Sequence, residues 1–273
     1  MQKISGIEIS KEIIERLKGM IRPDKAMVAV LIGDDPISAN FVNEKRKIAN
    51  ELGIKFKIYN FSEGLNNQNL REEINKIARD ENVGGVIVQL PLPQSIDRHE
   101  ILKDIPANVD VDVLGAHAVA EFYMKESGVL PPSCGVVEEI CNGLNVDLAK
   151  SKVAIVGLGL LIGKPIAIYM THRAKETMLF ANKSDLVELQ SADIIISGVG
   201  KANLILPEKL KKNAVVIDFG YDYSAGKLVG DFDHTNVERL INVSHYTPTP
   251  GGTGPILVAK LFENFYKLNN KNG

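Results

Sequence analysis

The sequence predicts an α/β protein of two doubly wound domains with a cleft between them, the second a Rossmann-like dinucleotide-binding domain. Three observations lead there. The chain has 273 residues, long for one hydrophobic core when domains usually hold about 50–250 residues. Its apolar runs, among them "MVAVLIG", "GGVIVQLPLP", "KVAIVGLG" and "AVVIDFG", are continuous rather than alternating, which marks strands covered on both faces. Helical patterns separate these runs, and β-α-β alternation implies parallel sheets.

Taken in order, Ser10 can cap a first helix whose Ile13, Ile14, Leu17 and Ile21 share a face, and "MVAVLIG" follows as a buried strand. Ser38 is a candidate cap for a second helix. Then "FKIYNF" alternates like a strand, "NQNLREEINKIARD" reads as a helix, and "GGVIVQLPLP" is a strand stopped by Pro91 and Pro93. After "GVLPPSCGVVEEICNGL" a second series begins: strand "KVAIVGLG", helix "GKPIAIYMTHRA", strand "TMLFA", a short helix, then strands "DIIISGVG" and "AVVIDFGYD". The last segment joins a Pro/Gly-rich loop to a helix with Leu257, Leu261, Phe262 and Phe265 on one stripe, expected to pack back on the first domain.

Composition narrows the function. A net charge of −2 removes the basic field that nonspecific nucleic-acid binding relies on. Two cysteines, Cys134 and Cys141, are too few for a disulfide framework, and no Cys/His spacing resembles a zinc site. The N-terminus lacks signal-peptide character, and no apolar run reaches the roughly 18 residues of a membrane span. A cytoplasmic protein acting on small molecules is the expectation.

Three groups of residues point to chemistry. Wound as a helix, "FVNEKRKIANEL" puts Lys45 within about 60° of Phe41, Val42, Ile48, Ala49 and Leu52. A lysine on an apolar face either snorkels to water or is held by a specific partner. Gln89, at the carboxyl end of a buried strand where open α/β sheets bind ligands, is a sensible partner. In "NVDVDVLG", Asp110 and Asp112 share one face of an extended segment, although paired acids more often cap turns than catalyse. The third group is "VAIVGLGLLIGKP", where Gly157, Leu158, Gly159 and Gly163 lie between a strand and a helix with the spacing of a dinucleotide loop, one residue longer than usual. At the next strand end, where an acid would select NAD, the chain reads "FANKSD"; Asn182, Lys183 and Ser184 suit the 2′-phosphate of NADP instead.

The segments "SANFVNEKRK", "GVIVQLPLP", "VDVD", "GLGLLIGKP", "VVIDFGYD", "LVGDFD" and "TPTPGGTGP" together resemble the bifunctional methylenetetrahydrofolate dehydrogenase/cyclohydrolase family over nearly the whole chain. The resemblance implies that residues 1–136 and 250–273 form a folate-binding catalytic domain and 137–249 an NADP-binding domain, in a homodimer. It makes Lys45 the general acid/base, Gln89 its partner and Asp112 the acid that binds the pterin. Phe41 and Asp110, with Pro250, Gly251 and Gly252, then contact the folate, while Thr253 joins the cofactor residues. The family usually has tyrosine at Phe41, lysine at Val109 and a Gly-Arg-Ser turn at Gly157–Leu158–Gly159, and its Pro-Cys-Thr-Pro segment is altered here to "PPSCG". Losing the arginine leaves Lys183 more of the 2′-phosphate; losing the phenol keeps an aromatic face without its hydroxyl.

The implied reactions are hydride transfer from 5,10-methylenetetrahydrofolate to NADP and hydrolysis of the methenyl product to 10-formyltetrahydrofolate. Hydride transfer needs mainly positioning. Hydrolysis moves protons and calls for a base, which a lysine becomes when burial lowers its pKa. Two alternatives stay open on sequence: a monofunctional NADP-dependent dehydrogenase whose cyclohydrolase is weakened at Phe41, and a folate- and nucleotide-binding protein without turnover.

Overall fold

The continuous apolar runs become parallel strands. The computed structural model describes residues 1–224, 227–235 and 237–270. In chain order its elements are β1 (Gln2–Lys3), α1 (Gly6–Lys18), β2 (Ala26–Ile32), α2 (Pro36–Glu51), β3 (Phe56–Phe61), α3 (Asn67–Ala78), β4 (Val83–Val88), α4 (Arg98–Leu102), α5 (Ala116–Met124) and α6 (Pro132–Gly143). There follow β5 (Lys152–Val156), α7 (Gly163–Met170), β6 (Glu176–Phe180), β7 (Ile194–Ser197), β8 (Ala214–Asp218), β9 (Asp222–Ser224), β10 (Lys227–Val229), β11 (Val243–Tyr246) and α8 (Thr253–Asn269).

Two compact units emerge. One contains Glu12–Pro132 and the segment from Val258 on, built on the parallel sheet β3-β2-β4. Every residue of the central strand β2 and of its neighbour β4 is buried, as continuous apolar runs require. Their Val28, Val30, Val86 and Val88 pack with Leu70 and Ile74 of α3. The end of α8 completes this unit: Phe262 and Phe265 are fully buried, and Asn269 Nδ2 donates to the Gly84 carbonyl at 2.9 Å. The expected return of the last helix is therefore observed, with Ile256 buried where Leu257 is only partly so.

The other unit holds Met1–Lys11 and Ser133–Leu257. Its six strands run parallel in the order β1-β11-β8-β7-β5-β6, and β9 and β10 form an antiparallel hairpin. These boundaries differ from the divisions at 136/137 and 249/250 expected from sequence. Met1–Lys11 joins this unit through main-chain pairing: β1 adds to the edge of β11, Ile4 N–H donates to Tyr246 O at 2.8 Å, and Gly6 N–H to Gly251 O at 2.9 Å.

Both expected helix caps also move. Helix α1 begins at Gly6, with Ser5 Oγ accepting from Glu8 N–H, so Ser10 is buried inside the helix. The helix ends at Lys18, before Gly19, which leaves Ile21 83% exposed instead of on the apolar face. Asp35, not Ser38, caps α2: its carboxylate accepts from Ser38 N–H at 2.8 Å and Pro36 opens the first turn. The short helix after β6 is a 3₁₀ segment, Val187–Ser191.

Candidate active site

Helix α2 buries Ser38, Val42, Lys45 and Ala49, a stripe spaced four, three and four residues apart. Lys45 does not snorkel. It is 8% exposed, and its Nζ donates to Gln89 Oε1 at 2.9 Å. Gln89 follows β4 directly; its backbone N–H donates to Val30 O and its Nε2 to Leu90 O at 2.6 Å. The second bond fixes the amide so that its oxygen faces the lysine. Burial holds the Lys45 pKa below the ordinary lysine value, opposed by the nearby Asp112 carboxylate.

Asp112 comes from the loop that runs back beside β4, where Val86 bridges Asp110. The two acids do different work. Asp110 is buried, and its Oδ2 accepts from Leu114 N–H at 2.9 Å and Gly115 N–H at 2.6 Å. A carboxylate that accepts from backbone donors at the start of α5 shapes the loop. Burial raises its pKa to about 6 against those donors. Asp112 makes no such backbone bonds among the described residues; burial raises its pKa to about 7, Lys45 opposing and Asp110 adding to the rise. The next residue, Val113, has φ 57°. A β-branched residue there costs about 1–2 kcal/mol and persists only where surrounding contacts impose it.

Burial thus pushes a lysine down and an aspartic acid up, so the two pKa values are displaced toward one another. Phe41 stands one turn before Lys45 and is partly exposed. Ser38, two turns before it, was legible only as a cap. Its hydroxyl is buried beside the Asp35 carboxylate that caps the helix.

The residues expected to hold a cofactor belong to the other unit. Gly157 leaves β5 with φ 86° and donates its N–H to Phe180 O at 2.9 Å. A Cβ on Gly163 would lie 1.8 Å from Gly157 O, so the first turn of α7 approaches the loop as only glycine permits. Gly159 is different: a Cβ there would meet nothing within 4 Å. Leu158 between them is partly buried. This strand-loop-helix fits a dinucleotide pyrophosphate.

At the end of β6, Ala181, Asn182, Lys183 and Ser184 form an exposed turn closed by Ser184 N–H to Ala181 O, with Ser184 Oγ accepting from Ala181 N–H at 2.9 Å. The Ser184 hydroxyl keeps its own proton to donate, and Asp185 accepts from Val187 N–H. Pro250, Gly251 and Gly252 lead into α8. Gly251 has φ 91°, and a Cβ on Gly6 would lie 1.6 Å from Gly252 O. The Thr253 hydroxyl donates to Asp218 O at 2.9 Å, a tie between α8 and β8.

Residues 4–112 match the family described as "Tetrahydrofolate dehydrogenase/cyclohydrolase, catalytic domain", and 131–272 its NAD(P)-binding domain. The chain belongs to this family. Among its relatives is the bifunctional protein FolD of Clostridium botulinum, 32% identical over 96% of both chains. The FolD of Fusobacterium nucleatum is 34% identical over 98% of both. The crystal structure of the bifunctional FolD enzyme of Campylobacter jejuni superposes with a TM-score of 0.92 at 31% identity, covering both chains fully. The Trypanosoma brucei enzyme, solved with NADP and an inhibitor, reaches 0.89 at 25% identity over 98% of this chain and 97% of its own. Within the family fold, Lys45, Gln89 and Asp112 are brought together in the unit that the catalytic-domain match covers.

Proposed function

We propose that this protein oxidises 5,10-methylenetetrahydrofolate to 5,10-methenyltetrahydrofolate with NADP and hydrolyses the product to 10-formyltetrahydrofolate. The observation that carries the reading is the buried Lys45–Gln89 pair facing an uncommitted Asp112. NADP, when bound, accepts the hydride from the one-carbon bridge. Gly157, Gly159 and Gly163 would hold its pyrophosphate, and Lys183 with Ser184 its 2′-phosphate; Leu158 supplies no charge there.

In the hydrolysis, water adds to the methenyl carbon and the ring C–N bond opens, with net release of one proton. Lys45, whose pKa burial lowers, takes a proton from the water or its adduct and returns one to the departing nitrogen. Gln89 Oε1 holds the amine on the productive side. Asp112 binds the pterin and, near neutral pH, shares the proton load; Phe41 supplies an aromatic face. The bifunctional relatives favour two activities over a dehydrogenase alone.

We place the active protein in the cytoplasm as a homodimer acting on small folates rather than nucleic acid; no described helix is long and apolar enough to cross a membrane. The deciding experiment is an absorbance assay that follows NADPH and methenyltetrahydrofolate separately. Both activities above background are expected. NADPH formation with methenyl-folate decaying at its uncatalysed rate would leave only the dehydrogenase, and neither signal would reduce the protein to a binder.

A further inference from the structure

Asp112 is held from a distance of about 150 residues in sequence. Asn264, on α8, is 4% exposed, and its Nδ2 donates to Val111 O at 2.8 Å and to Leu130 O at 2.7 Å. Val111 is the residue between the two acids. The loop is therefore gripped on the flank before Asp112 by Asn264 and on the flank after it by the Asp110 clamp on Leu114 and Gly115, while Val113 is kept at φ 57°. Phe265 adds packing below, since a Cβ on Gly85 would meet both its ring and Val111 Cγ1. A single amide satisfying two buried carbonyls has no apolar substitute: removing it orphans both acceptors.

We infer that Asn264 is a positioning residue for the folate reactions, acting through the Val111 carbonyl to aim Asp112 at Lys45. The inference rests on the functional reading above and deepens it.

Its control lies on the same helix. Asn269 Nδ2, partly buried, ties α8 to Gly84 O and closes back on Phe265 O of its own helix, without a bond to the acid loop. Asn264→Ala and Asn269→Ala should each lower the melting temperature. Only Asn264→Ala should lower kcat/KM for both activities, by roughly 10- to 100-fold, as displacement of a reacting group does. It should also move the acidic limb of the pH–rate profile to lower pH. Asp112 is faced by Lys45 from α2 and Asp110 from its own loop, and loosening chiefly undoes the burial that raises its pKa. If Asn264→Ala does not fold, Asn264→Ser, which keeps one donor, is read in the same comparison. Equal activity losses in the two asparagine variants with unmoved pH limbs would overturn the inference. An inactive wild type would instead overturn the functional reading.

Discussion

Lys45 and Gly163 are both buried, and for opposite reasons. In one unit a charged side chain is drawn into an apolar stripe so that burial changes its chemistry. In the other a side chain is forbidden, because the Gly157 carbonyl occupies the space a Cβ would need. The proposed catalytic set is built around titratable groups with displaced pKa values, Lys45 and Asp112, and the proposed dinucleotide loop from backbone and shape. Proton transfer needs a group whose protonation is poised; a pyrophosphate needs donors already fixed in place.

This contrast can be broken by substitution. Lys45→Met keeps the stem and deletes the amine, so cyclohydrolase activity should fall by about 10²–10⁴-fold with folding intact. Retention of most of the hydrolysis rate would refute the assignment. Gly163→Ala should cost roughly 100-fold in dehydrogenase kcat/KM, because the loop must move by an ångström or more. Hydrolysis of supplied methenyltetrahydrofolate should survive, with circular dichroism confirming the fold; equal loss of both activities would remove the division of labour. Lys183→Ala removes a charge-assisted phosphate contact worth about 1.5–3 kcal/mol, weakening NADP roughly tenfold or more while sparing NAD in titrations of each.

Smaller effects sharpen it. The Asp112 pKa of about 7 stands above the ordinary carboxylate value, so the folded state holds this proton more tightly than the unfolded chain. That contribution to stability is complete below about pH 4 and is lost as pH rises through about 7. Asp112→Asn cannot titrate, so its melting temperature should gain on wild type across that interval; a constant gap would mean the carboxyl is not desolvated. Asp218, raised to about 7, lies outside this pair and titrates the same way in both proteins, whereas Asp110 loses the neighbouring charge in the variant. Least of all, Gly159→Ala should change stability by within about 0.5 kcal/mol, since its Cβ would meet open space. A large loss in thermal melts would show that this glycine is needed like its neighbours.

The parallel sheets were readable because each central strand is an unbroken apolar run, and Lys45 because a cation on an apolar stripe is conspicuous. Gln89 followed from its place after β4. Features built by few residues or by backbone were not. Two-residue β1 carries no period. Ser5 and Ser10, like Asp35 and Ser38, are all acceptable caps, and only the observed turn tells which one serves. Asp110 and Asp112 look alike as letters; the N–H groups of Leu114 and Gly115 make one a clamp and leave the other for chemistry. Asn264 lies in an apolar helix with no local signal that its partners are the carbonyls of Val111 and Leu130.

The interleaving of the two units bears on synthesis. The unit that carries Lys45 is the first to be translated almost whole, through Pro132, yet Phe262, Phe265 and Asn264 arrive only after about 125 further residues. At about 5–20 residues per second, the nascent chain spends roughly 6–25 s with that core unclosed. During that interval the face awaiting α8 is open to a chaperone, and a ribosome stalled short of Val258 releases a product with its acid loop ungripped.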